Sequence, residues 1–411
     1  MKKNTLALLV AAALGCAAAP AFAITDEEGN ASLQFSFVPP GARSLGMGGA
    51  FIGLADDATA AYTNPAGLTQ LVNKEFSLEY RNARFSTEFI AGDLPQYDTA
   101  SSREDGVGYL SFVMPFENWA IALYRHEFLR YSTEFIGAAD SDFLLPFATE
   151  IDVKAVNYGA AAAFRFNPAL SVGVGLAYSQ FDLSSVTARP TFGATQDGDD
   201  DDVIFNVGVQ WKPSDRLSLG AVYRDGGNFE YTANSFFLNQ AGQLVERNGF
   251  PKEDVEFNVP VSYGVGLNYK VTENFGVNFD VARMEYSDLT SNVRSSLAPA
   301  GPAERAEVGQ LSIEDGTEIR LGAEYVYAES KYPVVFRAGV WRDPEHTVRF
   351  RGEPNPDFPN AVANALIFSV GDDELHYTIG LGVAFEKFQI DVAADISNRY
   401  DVFSLSGVYR F

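Results

Sequence analysis

From residue 75 to the end of the chain, hydrophobic and polar positions alternate with period two. That is the pattern of strands with one apolar face. Leu170, Val172, Val174, Leu176 and Tyr178 alternate with Ser171, Gly173, Gly175, Ala177 and Ser179. Tyr377, Ile379, Leu381 and Val383 alternate with Thr378, Gly380, Gly382 and Ala384, and Phe388, Ile390 and Val392 with Gln389, Asp391 and Ala393. One face is bulky and apolar; the other is small or charged. A soluble sandwich alternates too, so the connections decide between the two. The pattern predicts strands at 75–84, 106–115, 118–128, 151–165, 170–182, 202–212, 216–226, 256–270, 275–286, 317–328, 333–343, 374–385, 388–397 and 401–411. Odd-numbered connections then hold about 21, 22, 19, 29, 30, 30 and 3 residues, whereas even-numbered ones hold about 2 to 4. The short ones carry turn chemistry, such as Asn167-Pro168, Pro213-Ser214-Asp215, Thr272-Glu273-Asn274 and Glu386-Lys387.

Long connections at one rim and tight turns at the other are the layout of an up-and-down membrane barrel. The predicted fold is therefore all-β: a 14-stranded antiparallel transmembrane β-barrel over 75–411, preceded by an N-terminal plug at 24–74. An even strand number closes a single-chain bacterial barrel and leaves no open sheet edge in the bilayer. The last strand places Phe403, Leu405, Gly407, Tyr409 and Phe411 on one face. That ending resembles the terminal signal by which outer-membrane barrels are recognised for assembly. After residue 23 no apolar run is long enough for a helical span.

Lys2 and Lys3, the apolar stretch 5–14 and Ala21-Phe22-Ala23 read as a cleaved export signal over 1–23. Cys16 lacks the usual lead-in of a lipid-modified cysteine, and cleavage removes it, leaving no thiol. The formal charge of −24 becomes −26 once Lys2 and Lys3 are gone, which disfavours nucleic acid as a partner. The expected location is the outer membrane of a Gram-negative bacterium, as a monomer amid lipid and lipopolysaccharide.

With the bulky faces in lipid, the opposite faces line a lumen carrying Arg81, Arg165, Arg224, Arg320, Arg337 and Arg410, with Glu79, Asp280, Glu324, Asp391 and Asp395. Charges are costly against lipid, so their phase supports this assignment. The arginines either guide an anionic substrate or pair with lumen acids and hold the plug. Residues 24–74 do not alternate and are rich in small residues, including Gly46, Gly48 and Gly49; Asp56 and Asp57 are expected to meet lumen arginines.

The Gly46-Met47-Gly48-Gly49-Ala50-Phe51 stretch, the Ala55-Asp56-Asp57-Ala58 run and Asn64-Pro65-Ala66-Gly67-Leu68 resemble the hatch of the FadL-type transporters of long-chain fatty acids and hydrocarbons. A second family, the PorV-like accessory barrels of a secretion system, carries a similar block, and Gly41-Ala42-Arg43-Ser44 resembles it more closely. The first resemblance implies a fourteen-stranded barrel that captures a hydrophobic molecule at its outer loops, passes it to a lumen pocket and releases it sideways when the hatch shifts. Such transport is passive and implies no cofactor. The alternatives are a secretion accessory and a general diffusion porin.

Apolar clusters suited to capture are Phe143, Leu144 and Phe147, then Phe236 and Phe237, then Leu366 and Phe368. Nothing marks an enzyme: His126, His346 and His376 are scattered, and no nucleophile elbow or phosphate loop occurs. The run Asp197-Gly198-Asp199-Asp200-Asp201-Asp202 departs from a calcium loop, with Asp202 and Gly208 where Gly and Glu belong. It reads as a solvated acidic loop, with loose divalent bridging to lipopolysaccharide the alternative.

Overall fold

A computed structural model describes residues 37–90, 97–137, 147–188, 190, 192–238, 244–245, 253–290, 311–347, 349–350 and 371–411. The expected signal peptide and the first part of the expected plug lie outside the described residues. So do the capture candidates Phe143, Leu144, Leu366 and Phe368.

Apart from three two-residue strands at Leu244–Val245, Leu311–Ser312 and Arg349–Phe350, the described strands are β1 Glu75–Ile90, β2 Tyr97–Pro115, β3 Trp119–Gly137, β4 Phe147–Asn167, β5 Leu170–Ala188 and β6 Phe192–Ser214. They continue with β7, Leu217–Arg224 resuming as Asn228–Leu238, and β8, Glu253–Asn258 resuming as Ser262–Lys270. The circuit is completed by β9 Phe275–Met284, β10 Gly316–Tyr327, β11 Val334–Asp343, β12 Glu374–Ala384, β13 Phe388–Ile396 and β14 Tyr400–Arg410. Each strand pairs antiparallel with its neighbours, and β14 returns to β1 from Glu75↔Arg410 to Phe85↔Tyr400. The fourteen-strand antiparallel barrel is closed, as the alternation and turns predict.

The outward face is what the bilayer demands. Phe76, Leu78, Val174, Leu176, Val207, Ile379 and Leu405 are all exposed. Aromatic rings border this band: Tyr80, Tyr158, Tyr178, Tyr263 and Tyr377 toward the long connections, Trp119, Phe164, Trp211, Tyr269 and Tyr409 toward the tight turns. Tyr158 and Phe164 lie six residues apart on β4, about 20 Å along a strand, close to the height of an outer-membrane apolar band.

The predicted boundaries fail on the side of the long connections. There β2 begins at Tyr97 rather than 106, β3 runs on to Gly137, β5 to Ala188, β6 begins at Phe192 rather than 202, and β7 reaches Leu238. The inward parity is kept but the chemistry is exchanged. On β5, Phe181 and Leu183 point inward and are buried, while Gln180, Asp182 and Ser184 are exposed. Above the bilayer water replaces lipid on the outside, so the apolar residues turn to the lumen and the strand loses its membrane signature. The acidic run is part of this extension and not a loop: Asp197, Asp199 and Asp201 are exposed on β6, with Asp182 facing Asp199 across the β5 ladder. Phe147, Phe236 and Phe237 also sit in strand ends, not loops.

Two ladders are interrupted on this side. Beyond Tyr109↔His126, β2 continues to pair with β1 and β3 with β4, but not with each other. Between β6 and β7 the pairing stops at Asn206↔Arg224 and resumes at Asp197↔Thr232. There Asp202 and Asp200 side chains accept from the backbone N–H groups of Asn228 (3.0 Å) and Glu230 (2.7 Å).

The inside-outside assignment has a spectroscopic consequence. Trp119 and Trp211 are 45 % and 50 % exposed on the outer face, whereas Trp341 is 5 % exposed within the lumen. In vesicles, brominated lipid chains should quench Trp119 and Trp211 strongly and leave Trp341 bright in a Trp119→Phe/Trp211→Phe variant. Equal quenching of Trp341 would contradict the assignment.

Candidate functional site in the barrel lumen

Residues 37–74 lie inside the wall and are almost entirely buried. They form two single-turn helices, α1 Ala42–Leu45 and α2 Ala60–Thr63, and a 3-10 turn at Pro65–Gln70. Ser44 Oγ donates back toward the carbonyls of residues 39–41, and Asn64 caps the 3-10 turn by accepting from Ala66 N–H at 3.3 Å, with Pro65 supplying its first residue. Helices this short are unstable alone, so the wall must supply most of the stabilisation.

The wall meets the segment's backbone groups one by one. Asp280 Oδ2 accepts from Phe51 N–H and Ile52 N–H at 2.6 and 2.8 Å. Gln210 and Ser218 donate to the Gly53 carbonyl at 3.1 and 2.7 Å, and Asn206 donates to the Tyr62 carbonyl at 2.9 Å. Tyr109 and Ser111 hydroxyls both reach the Ala58 carbonyl, Thr378 Oγ1 accepts from Gly48 N–H, and Asn64 Nδ2 bridges the carbonyls of Ile52 and Val209. Wall glycines permit this closeness: a Cβ on Gly220, Gly322 or Gly339 would collide with the backbone of Ile52, Met47 or Gly48. Gly48 and Gly49 themselves have φ of 65° and 70°, which a side chain would strain. Gly46 is pressed against Gly380.

Asp56 and Asp57 do not meet a lumen arginine. Their cation is Arg43, from the same segment, at 2.6 and 3.3 Å. Arg43 in turn forks onto wall residue Glu324 through Nε (3.0 Å) and Nη2 (3.1 Å), and Glu324 also receives Arg337. Sequence reasoning noticed Arg43 only within a motif. Its role followed from nothing in the spacing, because its partner lies 281 positions away.

The six predicted arginines all have the inward phase and do different work. Arg337 joins Glu324 and Asp391, Arg410 joins Glu75 at the tight-turn rim, and Arg81 joins Glu79. Arg320 pairs with Glu318 and touches the Gly49 carbonyl. Arg165 is half-buried near the tight turns, with no side-chain partner among the described residues.

Arg224 stands apart. It is 6 % exposed and donates to the carbonyls of Thr63 (2.6 Å) and Tyr62 (3.4 Å), with the Tyr62 ring 5.3 Å away. Among the described residues no carboxylate lies within ion-pair distance of it. It lines an open cleft together with Phe37, Tyr124, Phe128, Ile204 and Val259 and with the polar Asn157, Asn206, Asp225 and Ser262. Above the N-terminal segment the lumen is lined by Phe85, Phe128, Tyr131, Val153, Phe181, Leu183, Phe229 and Phe257, one apolar surface.

The family model for outer-membrane transport proteins of the OMPP1/FadL/TodX type matches residues 40–393. The chain belongs to this family. Among solved structures, a Pseudomonas aeruginosa FadL homologue superimposes with TM-score 0.67 at 13 % identity, covering 92 % of this chain and 99 % of that one. The Pseudomonas putida toluene transporter TodX gives 0.62 at 16 % identity over 91 % and 98 %. The Ralstonia pickettii toluene transporter TbuX gives 0.61 at 16 % identity over 91 % and 99 %. At such identities the likeness is one of fold. None of the curated proteins matches the chain in sequence. As a FadL/TodX-type protein, the chain is an outer-membrane β-barrel.

For this FadL/TodX-type barrel, the Arg43 network predicts how the N-terminal segment is held. Arg43→Ala leaves Asp56, Asp57 and Glu324 facing one another, a loss of about 3–5 kcal/mol for a buried pair. Gly339→Leu drives a side chain into the Gly48 backbone. Both variants should raise the steady conductance of the reconstituted protein in planar bilayers above the native level. Unchanged conductance in both would show that this network does not hold the segment.

Proposed function

We propose that this barrel takes up hydrophobic molecules passively and that long-chain fatty acids are the substrate it fits best. The observation that carries the reading is the Arg224 cleft. Its lining sets Phe37, Tyr124, Phe128, Ile204 and Val259 beside the polar Asn157, Asn206, Asp225 and Ser262, and it holds one buried cation that no carboxylate meets at ion-pair distance among the described residues. A buried guanidinium without a counter-ion is costly, and a carboxylate is its best partner because the planar guanidinium can be matched by two oxygens. An alkyl chain laid against Phe128, Ile204 and Val259 with its carboxylate at Arg224 satisfies both features at once. Diffusion down a gradient supplies the driving force, and the chain offers no nucleotide motif.

In this reading the 24–74 segment is the hatch and the long connections with their apolar clusters receive the substrate. The side exit fits the β2–β3 interruption best. A cleft there sets Ala83, Phe85, Gly106, Gly108 and Phe128 beside the charged Arg81, Glu104, Asp105, Glu127 and Arg130. Among the described residues only side chains cross it: Arg130 Nε meets Glu104 at 2.8 Å, and Arg125 donates to the Val107 carbonyl. Arg130 is 42 % exposed, and such a surface pair contributes at most about 1 kcal/mol. The hatch touches the wall just below, where Ala58 meets Tyr109 and Ser111.

Uptake of labelled oleate by cells with and without the gene tests the substrate. Arg224→Gln should weaken oleate binding to the purified protein about tenfold, the loss of one charge-assisted hydrogen-bonded pair. Binding of an uncharged hydrocarbon of similar length should change little. Oleate uptake that ignores the gene removes fatty acids as the substrate.

A further inference from the structure

A second, narrow cavity lies against β11 and shares only Phe37 with the Arg224 cleft. Its walls are aromatic: Trp341, Tyr286, Tyr400 and His346, the last stacked on Tyr286 at 4.4 Å. Its polar edge is acidic, with Glu318, Asp343 and Asp395, and its one lining cation is Arg81.

Each of these charges but one is satisfied within the protein. Arg81 belongs to Glu79 at 3.3 Å, and Glu318 belongs to Arg320. Asp395 receives Trp341 Nε1 at 2.8 Å and His376 Nδ1 at 3.0 Å. His346 Nδ1 is engaged with the Pro344 carbonyl at 2.9 Å. Asp343 alone has neither a hydrogen bond nor an ion pair among the described residues, although it is only 7 % exposed and lines the cavity. Facing it in the β11–β12 register is a further acid, Glu374, whose carboxylate accepts from Arg399 N–H. The nearby His376 Nε2 is buried without a partner.

We propose that this cavity binds an organic cation: a protonated amine or quaternary ammonium on a small hydrophobic body. The ammonium sits against Asp343 and the body lies among the rings. A buried carboxylate with no internal partner needs an incoming donor or cation, and the surplus of acids repels anions. Aromatic faces attract a cation through their quadrupoles, most strongly where water is excluded. A metal ion fits less well, because Glu318 and Asp395 already spend their oxygens on other donors. The described residues hold no group of three metal-ligating side chains. The site stands independently of the fatty-acid reading, since its residues are different and its occupancy needs no transport.

The test uses the full protein in dodecyl maltoside micelles at neutral pH, with Trp119→Phe and Trp211→Phe so that Trp341 reports alone. Benzylamine, benzyl alcohol and benzoate are titrated in parallel. Benzylamine should perturb Trp341 emission at concentrations about tenfold below benzyl alcohol, with benzoate weakest. Asp343→Asn, checked for folding by its heat-modifiable mobility, should bring benzylamine to within about twofold of the alcohol, as the ionic contribution is lost. Equal affinities of amine and alcohol in the parent protein overturn the site, even if Asp343→Asn fails to assemble. So does an amine preference that survives Asp343→Asn, or a Trp341 signal that ignores benzylamine altogether.

Discussion

At membrane depth no backbone N–H or C=O can be left to water, and that requirement shapes both the wall and its contents. In the wall the antiparallel ladders meet it, and the β1–β14 pairing removes the last free edge. The N-terminal segment cannot meet it alone. Its helices are single turns, and every end exposes groups that a longer helix would bond internally. The inner face of the wall therefore carries a set of side chains whose task is to finish another segment's hydrogen bonds. Asp280, Gln210, Ser218, Asn206, Thr378 and Tyr109 are all of this kind.

Close backbone approach is the second half of the same solution. A hydrogen bond between a wall side chain and a buried peptide group requires the segment to lie nearly against the strands. The glycines on the inward positions of β7, β10 and β11 make that distance possible. The small-residue face that alternation revealed is thus a mould for the segment, and the bulky face is its counterpart toward lipid. Above the bilayer neither pressure acts, and the faces change roles: rings line the lumen while acids face water.

Much of the fold was legible in the sequence because its physics is local. Alternation and tight turns depend on neighbours, so the strand number and the inward phase of Arg224, Arg320 and Arg337 could be read directly. The outer strand extensions could not, because Asp182 beside Leu183 obeys the same alternation with the faces exchanged, and only the position of the bilayer says which is which. The acidic run 197–202 misled for that reason. Arg43 was opaque for another: Glu324 becomes its partner only when the segment is folded into the lumen. Asp343 carries no local mark at all, since what distinguishes it is the lack of a side-chain partner among the described residues rather than a neighbour.

Missing partners are the informative feature of the lumen. A buried charge that serves only stability is better replaced by a well-packed apolar residue, because desolvation consumes most of the Coulombic gain. Arg337, Arg320 and Arg43 escape this objection by completing networks with acids or peptide groups. Arg224 bonds two peptide carbonyls yet meets no carboxylate at ion-pair distance, and the buried Asp343 carboxyl has no side-chain partner, among the described residues; the two line different cavities of the same chamber. Were they neighbours they would pair and be silent. Their separation leaves each without a counter-charge among the described residues, and the two proposed sites use them as fixed points for polar heads of opposite sign.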